Sequence, residues 1–143
     1  MNIDVSGWKL VGETANAKAY EVAADVLLFV PNLGASDDEA SARANAGFQN
    51  AYWKRHGRRG VGVVVFDNLV AQDKAARVIY QSEIDPAWTV ACGIVASTLL
   101  ARAMANFFVG FGASRVPSRI FSDLHDALAW AREQNNLAKA SAP

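Results

Sequence analysis

Short uncharged runs alternate with amphipathic stretches along this chain, and that alternation sets the first expectation. "VLLFV" (26–30) and "GVGVVVF" (60–66) are brief and rich in β-branched residues. Such runs predict strands covered on both faces. Residues 88–96 form a third uncharged strand candidate, and 8–13, 19–22 and 119–121 are shorter ones. Ala24 and Asp25 suggest a turn between the second and third strands. Pro31, Asn32, Leu33 and Gly34 end the third.

Helical periodicity fills the intervals. Ser36-Asp37-Asp38-Glu39 reads as a capping box with Ser36 as N-cap. Ala40, Ala44, Phe48 and Tyr52 then recur every four residues and predict the buried stripe of a helix that stops at Gly57. A second helix is expected over 72–82, with Ala75, Val78 and Ile79 inward. Ser97 or Thr98 caps a third. In it Leu99, Ala103 and Phe107 form one column, and Leu100, Met104, Phe108 and Phe111 the next, about 100° away. Arg102 and Asn106 mark its wet side, and Gly110 and Gly112 its end. Ser122 or Asp123 caps a last helix with Leu124, Ala127, Leu128 and Ala131 inward. Pattern is lost at Gln134, so 135–143 is expected to fray.

Strands that meander first and then alternate with helices predict an α/β fold. Its mixed β-sheet has an N-terminal antiparallel meander followed by β-α-β-α-β-α units. A single domain is expected over 1–134. The full chain of 143 residues is long enough to bury a core without a staple. Net charge is zero, so no global field attracts nucleic acid or an anionic membrane. No run reaches about 18 apolar residues, which argues against a membrane span. The lone cysteine, Cys92, cannot pair within the chain, and it lies in an apolar strand that predicts a buried, inert thiol. With only His56 and His125 beside it, neither a metal nor a cofactor is expected. Without a leader-like N-terminus, the expected compartment is the cytoplasm.

The stretches "IVASTLLARAMANFFVGF", "PSRIF" and "DLHDALAWARE" resemble an uncharacterised bacterial STAS-like family. The order of elements resembles the STAS fold of anti-sigma-factor antagonists. The similarity covers roughly 60–133. In the antagonists a serine at the start of the helix after the central strand is a phospho-switch. The matching stretch here, Asp67-Asn68-Leu69-Val70-Ala71-Gln72-Asp73-Lys74, holds no hydroxyl side chain. The resemblance therefore implies a regulatory, protein-binding domain that lacks the switch.

The candidate residues each have a plain structural reading as well. Asp73 could present a fixed negative charge or simply cap a helix. Asp67 and Asn68, with Ser97 and Thr98, stand at the carboxyl ends of two adjacent predicted strands, where open α/β sheets hold ligands. Both G-x-x-x-x-G-K-[ST] and G-x-G-x-x-G are missing, and capping also accounts for the hydroxyls. Gln72, at the start of the second helix, and Asn106, on the wet side of the third, complete the candidate ligand or partner surface. Arg115 and Arg119 flank Pro117 and suggest an anion clamp or pairing with Asp123 or Asp126. "KRHGRR" (54–59) is the one basic run, and it sits at a helix C-terminus where cations suit the dipole. Phe107, Phe108 and Phe111 widen the apolar face of their helix beyond what one sheet surface requires, and Trp53 lies off its helix's stripe. These four are the interface candidates, against core packing. The expected function is a non-enzymatic interaction domain with an unidentified protein partner, self-associating as a homodimer. A small apolar ligand or lipid-binding module, laid out like the CRAL-TRIO fold, is the alternative. Enzyme activity would need Asp67, Ser97, His125 and Arg119 in one pocket.

Overall fold

The computed structural model describes residues 3–110 and 115–141. It shows a mixed α/β fold. Six strands, β1 (Lys9–Glu13), β2 (Ala17–Ala23), β3 (Val26–Pro31), β5 (Gly60–Val65), β7 (Thr89–Val95) and β8 (Ser118–Phe121), form one sheet in the order β1-β2-β3-β5-β7-β8. The first three pair antiparallel and the rest are parallel. The uncharged runs thus form the inner strands β3, β5 and β7, as their composition requires.

The turn between β2 and β3 places Asp25 at a positive φ of 61°, a conformation that aspartate tolerates better than most residues. Asp25 carries the tertiary load of that corner. Its carboxylate pairs with Arg58 at 3.2 Å and with Lys139 at 3.2 Å. Its carbonyl accepts from Val61 N and from Asn135 Nδ2 at 2.9 Å each.

Period-two alternation divides the central strands between two helical layers. Val26, Leu28, Val61, Val63, Val65, Ala91 and Val95 face α4 (Leu124–Ala140), which lays Ala127 and Ala131 against them. Leu27 and Phe29 face α1 (Glu39–His56) on the other side. Alpha-helices α2 (Lys74–Glu83) and α3 (Leu99–Gly110) complete that layer. Gly60 and Gly62 point the same way as Leu27 and Phe29. A side chain at Gly60 would meet Trp53, and one at Gly62 would meet Gln49. The glycines are where the sheet lets α1 approach.

Close approach explains why the α1 stripe differs from the expectation. Ala40 and Ala44 are exposed, while Ala42, Ala46, Gln49, Tyr52 and Trp53 are buried. Trp53 is therefore core, not interface: it is 1% exposed and packs under β5. On α2 the buried residues are Ala76 and Ile79, and Val78 is outside, 49% exposed.

Two short strands were not visible in the sequence pattern. β4 (Ala35–Asp37) and β6 (Leu69–Gln72) pair parallel as a separate ribbon. Ser36 is thus a strand residue. The N-cap of α1 is Asp38, whose Oδ1 accepts from Ser41 N at 2.9 Å while Ser41 Oγ accepts from Asp38 N at 2.8 Å. The capping box exists two residues later than expected, because Ser36 is engaged in the ribbon. Among the described residues no helix is long and apolar enough to cross a membrane.

The expected fray after Gln134 is also replaced. α4 continues to Ala140, and Asn135 is buried with its amide on the Asp25 carbonyl. One polar residue on the inner face broke the apolar pattern without breaking the helix. Deleting residues 135–143 should therefore lower unfolding stability by about 2 kcal/mol, from one buried hydrogen bond and one ion pair on Asp25. Chemical denaturation of the shortened chain checks this, and a dispensable tail would leave the midpoint unchanged.

Candidate functional site

At the carboxyl ends of β5 and β7 three of the four expected residues meet: Asp67, Ser97 and Thr98. A single turn, Phe66–Asn68, follows β5. Asp67 Oδ1 there accepts from Ser97 N at 2.8 Å, Ser97 Oγ at 2.6 Å and Thr98 N at 3.0 Å. Thr98 Oγ1 caps α3 by accepting from Ala101 N at 3.1 Å. An internal carboxylate thus occupies the place at the start of α3 where an external anion would bind. Asn68 turns inward and donates to Pro31 O at 2.8 Å.

The remaining candidates disperse. Asp73 is the N-cap of α2 and accepts from Ala76 N at 2.8 Å. Asn106 is exposed on α3. Arg115 donates to Ser82 O at 2.6 Å, and Arg119 lies 5.1 Å over the Phe121 ring. The two arginines thus have different partners, and no ion pair joins them to Asp123 or Asp126 among the described residues. His56 rests against Tyr52, and His125 is exposed. Within the basic run, Arg58 pairs with Asp25 and Arg59 donates to Pro86 O. The Cys92 thiol is buried in apolar surroundings that push its pKa up to about 12, so it is not a poised nucleophile.

The aromatic pair on α3 splits. Phe108 is half-buried, edge-on to Phe66 at 5.9 Å and tilted against Tyr80 at 5.8 Å. Phe107 is 51% exposed, with Arg77 5.7 Å above its ring. Phe111 lies outside the described residues. Leu99 and Leu100 are 89% and 54% exposed. With Ala103, also exposed, these residues occupy about 100° of the helix surface. α3 therefore buries Ala101, Met104, Ala105 and Phe108 and turns the expected Leu99–Phe107 column outward. The small residues, which carry little hydrophobic weight in the sequence, let α3 sit close to β6 and the Phe66 turn.

A second constellation was not foreseen. Asp37, 5% exposed, accepts from Asn16 Nδ2 at 3.3 Å, from Ser41 Oγ and from Gln72 Nε2 at 3.1 Å. Asn45 Nδ2 donates to Asn16 Oδ1 and to Tyr80 Oη, both at 3.0 Å. Thr14 Oγ1 donates to Asn45 Oδ1 at 2.6 Å. Burial, reinforced by the Asp37 charge, raises the Tyr80 pKa well above that of a free phenol. This network ties the β1–β2 turn, the β4–β6 ribbon, α1 and α2 together. It also forms one end of a cavity of about 60 Å³ whose walls include Phe29, Phe66, Leu69, Ile94 and Phe108. No local signal could reveal it, because its members are single polar residues on five elements. Asp37→Ala should strand several buried donors and cost about 2 kcal/mol, read from urea unfolding.

Comparison with known proteins agrees with this architecture. An uncharacterized protein from the DUF3478 family with a SpoIIAA-like fold, from Shewanella loihica PV-4, is similar with a TM-score of 0.50 and 16% identity. The match covers 84% of this chain and 99% of that one. At that identity the likeness is one of fold, and it supports the STAS-like layout expected from the order of elements. No curated protein matches. A family model described as a domain of unknown function (DUF7793) matches residues 56–135. That span exceeds half of the chain, and the chain belongs to the DUF7793 family.

Proposed function

We propose that this domain is a non-enzymatic interaction module that binds a protein partner on the outer face of α3 and the adjoining side of α2. One observation carries the reading: Leu99, Leu100 and Phe107 stand outward on α3, with Val78 exposed on α2. Exposed large apolar side chains gathered on one face, and not scattered singly, mark contact surfaces.

The partner's chemistry follows from the charges around that face. Lys74, Arg77 and Arg102 are the charged side chains of α2 and α3 left beside this face, and all are basic; the one acidic residue of these helices, Glu83, pairs with Arg43 of α1 instead. Two copies meeting through this face would bring like charges together. An apolar segment flanked by aspartate or glutamate is complementary instead. The carboxylate of Asp67, which already accepts from Ser97 N and Thr98 N just ahead of α3, supports a binding role over anion chemistry there. The absence of a hydroxyl between Asp67 and Lys74 supports a contact that is not switched by phosphate at that position.

Affinity capture with cross-linking, run beside light scattering, tests the reading. Wild type is expected to recover an acidic partner, and a folded Leu99→Glu, Phe107→Glu variant to lose it at least tenfold. A strict monomer with no recoverable partner, or a partner kept equally by the variant, would sink the proposal.

A further inference from the structure

We infer that the cleft between α2 and α3 leads to a binding site for a small, largely apolar molecule that carries one hydroxyl or similar hydrogen-bonding group. The site is the cavity of about 60 Å³ on the α1 side of the sheet. A void needs only about 10–15 Å³ of this kind to hold one water, so this one is several-fold larger. Protein interiors are close-packed, and an empty space of this size forfeits stabilising contacts. Most of its wall is apolar, where water is held poorly. Its polar groups are the cluster of Asn16, Asp37, Asn45 and Tyr80, with Gln49 over Gly62. Apolar walls with a few convergent polar groups are the ordinary design of a small-molecule site.

The hydrogen-bond inventory sets the ligand's chemistry. Both Asn45 amide protons are used, on Asn16 and Tyr80. Both Asn16 protons are used, on Ser36 O and Asp37. Ser41 Oγ donates to Asp37. What remains is a lone pair on Tyr80 Oη and the Gln49 amide, whose Nε2 gives one proton to Thr89 Oγ1 at 3.0 Å and keeps the other. A guest must therefore bring one hydrogen-bonding group: a hydroxyl, which both donates and accepts, suits this lining, and a bare hydrocarbon would leave it unused.

The way in lies where the two helices meet through side chains. α2 packs on α1, whereas α3 rests on β6, β8 and the Phe66 turn. The bridge between them is the Tyr80–Phe108 ring pair, Arg77 over Phe107, and Gln81 Nε2 donating to Phe108 O at 3.4 Å. Phe108 both lines the cavity and is half-buried, so a rotamer change of one ring opens it without backbone movement. The volume suits a molecule of a few heavy atoms, and a six-membered ring once Phe108 swings aside. This inference is separate from the partner reading, since it needs neither Leu99 nor Val78.

Methyl-resolved NMR titration with phenol, and with toluene as the hydrocarbon control, tests it. Saturable shifts are expected at the Leu69, Ile84 and Ile94 methyls, with phenol bound about fivefold more tightly than toluene, the worth of one added hydrogen bond. Phe108→Ala should bind phenol at least threefold more tightly by widening the entrance, and Leu69→Phe should abolish the shifts by filling the space. If Leu69→Phe does not fold, Ile84→Phe gives the same readout. Absence of saturable shifts at these methyls in both wild type and Phe108→Ala would overturn the site. Shifts confined to Leu99 and Leu100 would overturn it too, and equal affinity for phenol and toluene would overturn the requirement for a hydrogen-bonding group.

Discussion

Replacing Gly60 with alanine should destabilise the domain by about 3 kcal/mol, the upper part of the range for overpacking a tight core. The added methyl would lie 2.6 Å from the Asp25 carbonyl oxygen and closer still to the Trp53 ring. Neither neighbour yields easily. The carbonyl is held by Val61 N and Asn135, and Trp53 is 1% exposed between α1 and β5. Trp53→Ala should cost about 3–5 kcal/mol by leaving a cavity. The double variant should cost less than the sum, because the ring that obstructs the methyl is gone. Urea unfolding of the four proteins checks this. Additive costs would mean that Trp53 and Gly60 do not share the space assigned to them.

Alkaline pH should unfold the protein, starting near pH 9. The sign follows from three groups whose folded pKa values are raised. Burial lifts Cys92 from 9.0 to about 12. Burial and the Glu21 carboxylate, which accepts the Tyr52 hydroxyl, lift Tyr52 from 10.0 to about 12. Burial and Asp37 lift Tyr80 further. Below the unfolded values both states hold these protons, and the stability they contribute is intact. Above them the unfolded chain releases protons that the folded chain retains, so stability falls as pH rises. Fully buried Cys92 alone should shift the folding equilibrium by about tenfold per pH unit from 9 towards 12. Cys92→Val removes the first of these ionisations. Its stability should stay flat to near pH 10, where the tyrosines begin to contribute. Circular dichroism melts at half-unit intervals check this, and a wild type flat to pH 11 would show that these groups ionise without unfolding.

Much of the architecture is legible along the chain. β3, β5 and β7 appear as uncharged runs because strands covered on both faces admit no charge. The turn at Asp25 and the caps at Thr98 and Asp123 appear because small polar side chains satisfy backbone groups locally. The pairing of Asp67 with Ser97 was within reach, since adjacent parallel strands bring their carboxyl ends together.

Other features are not local. Gln49 and Trp53 face the core only because Gly60 and Gly62, on a different element, leave them room. The β4–β6 ribbon joins segments that carry no strand pattern, and its register places Asp37 beside Gln72. The buried network exists only once the β1–β2 turn, β4, α1 and α2 have converged. The outward turn of Leu99 and Phe107 depends on which side of α3 the sheet meets.

By itself, then, the sequence determined what short-range physics can decide: which segments are strands or helices, where most of them begin, and the α/β order. Only the tertiary structure decided which face of α1 and α3 is buried, that Trp53 is core, and that a polar cluster caps a cavity. Those outcomes depend on the shape of the opposing surface, which no single segment carries.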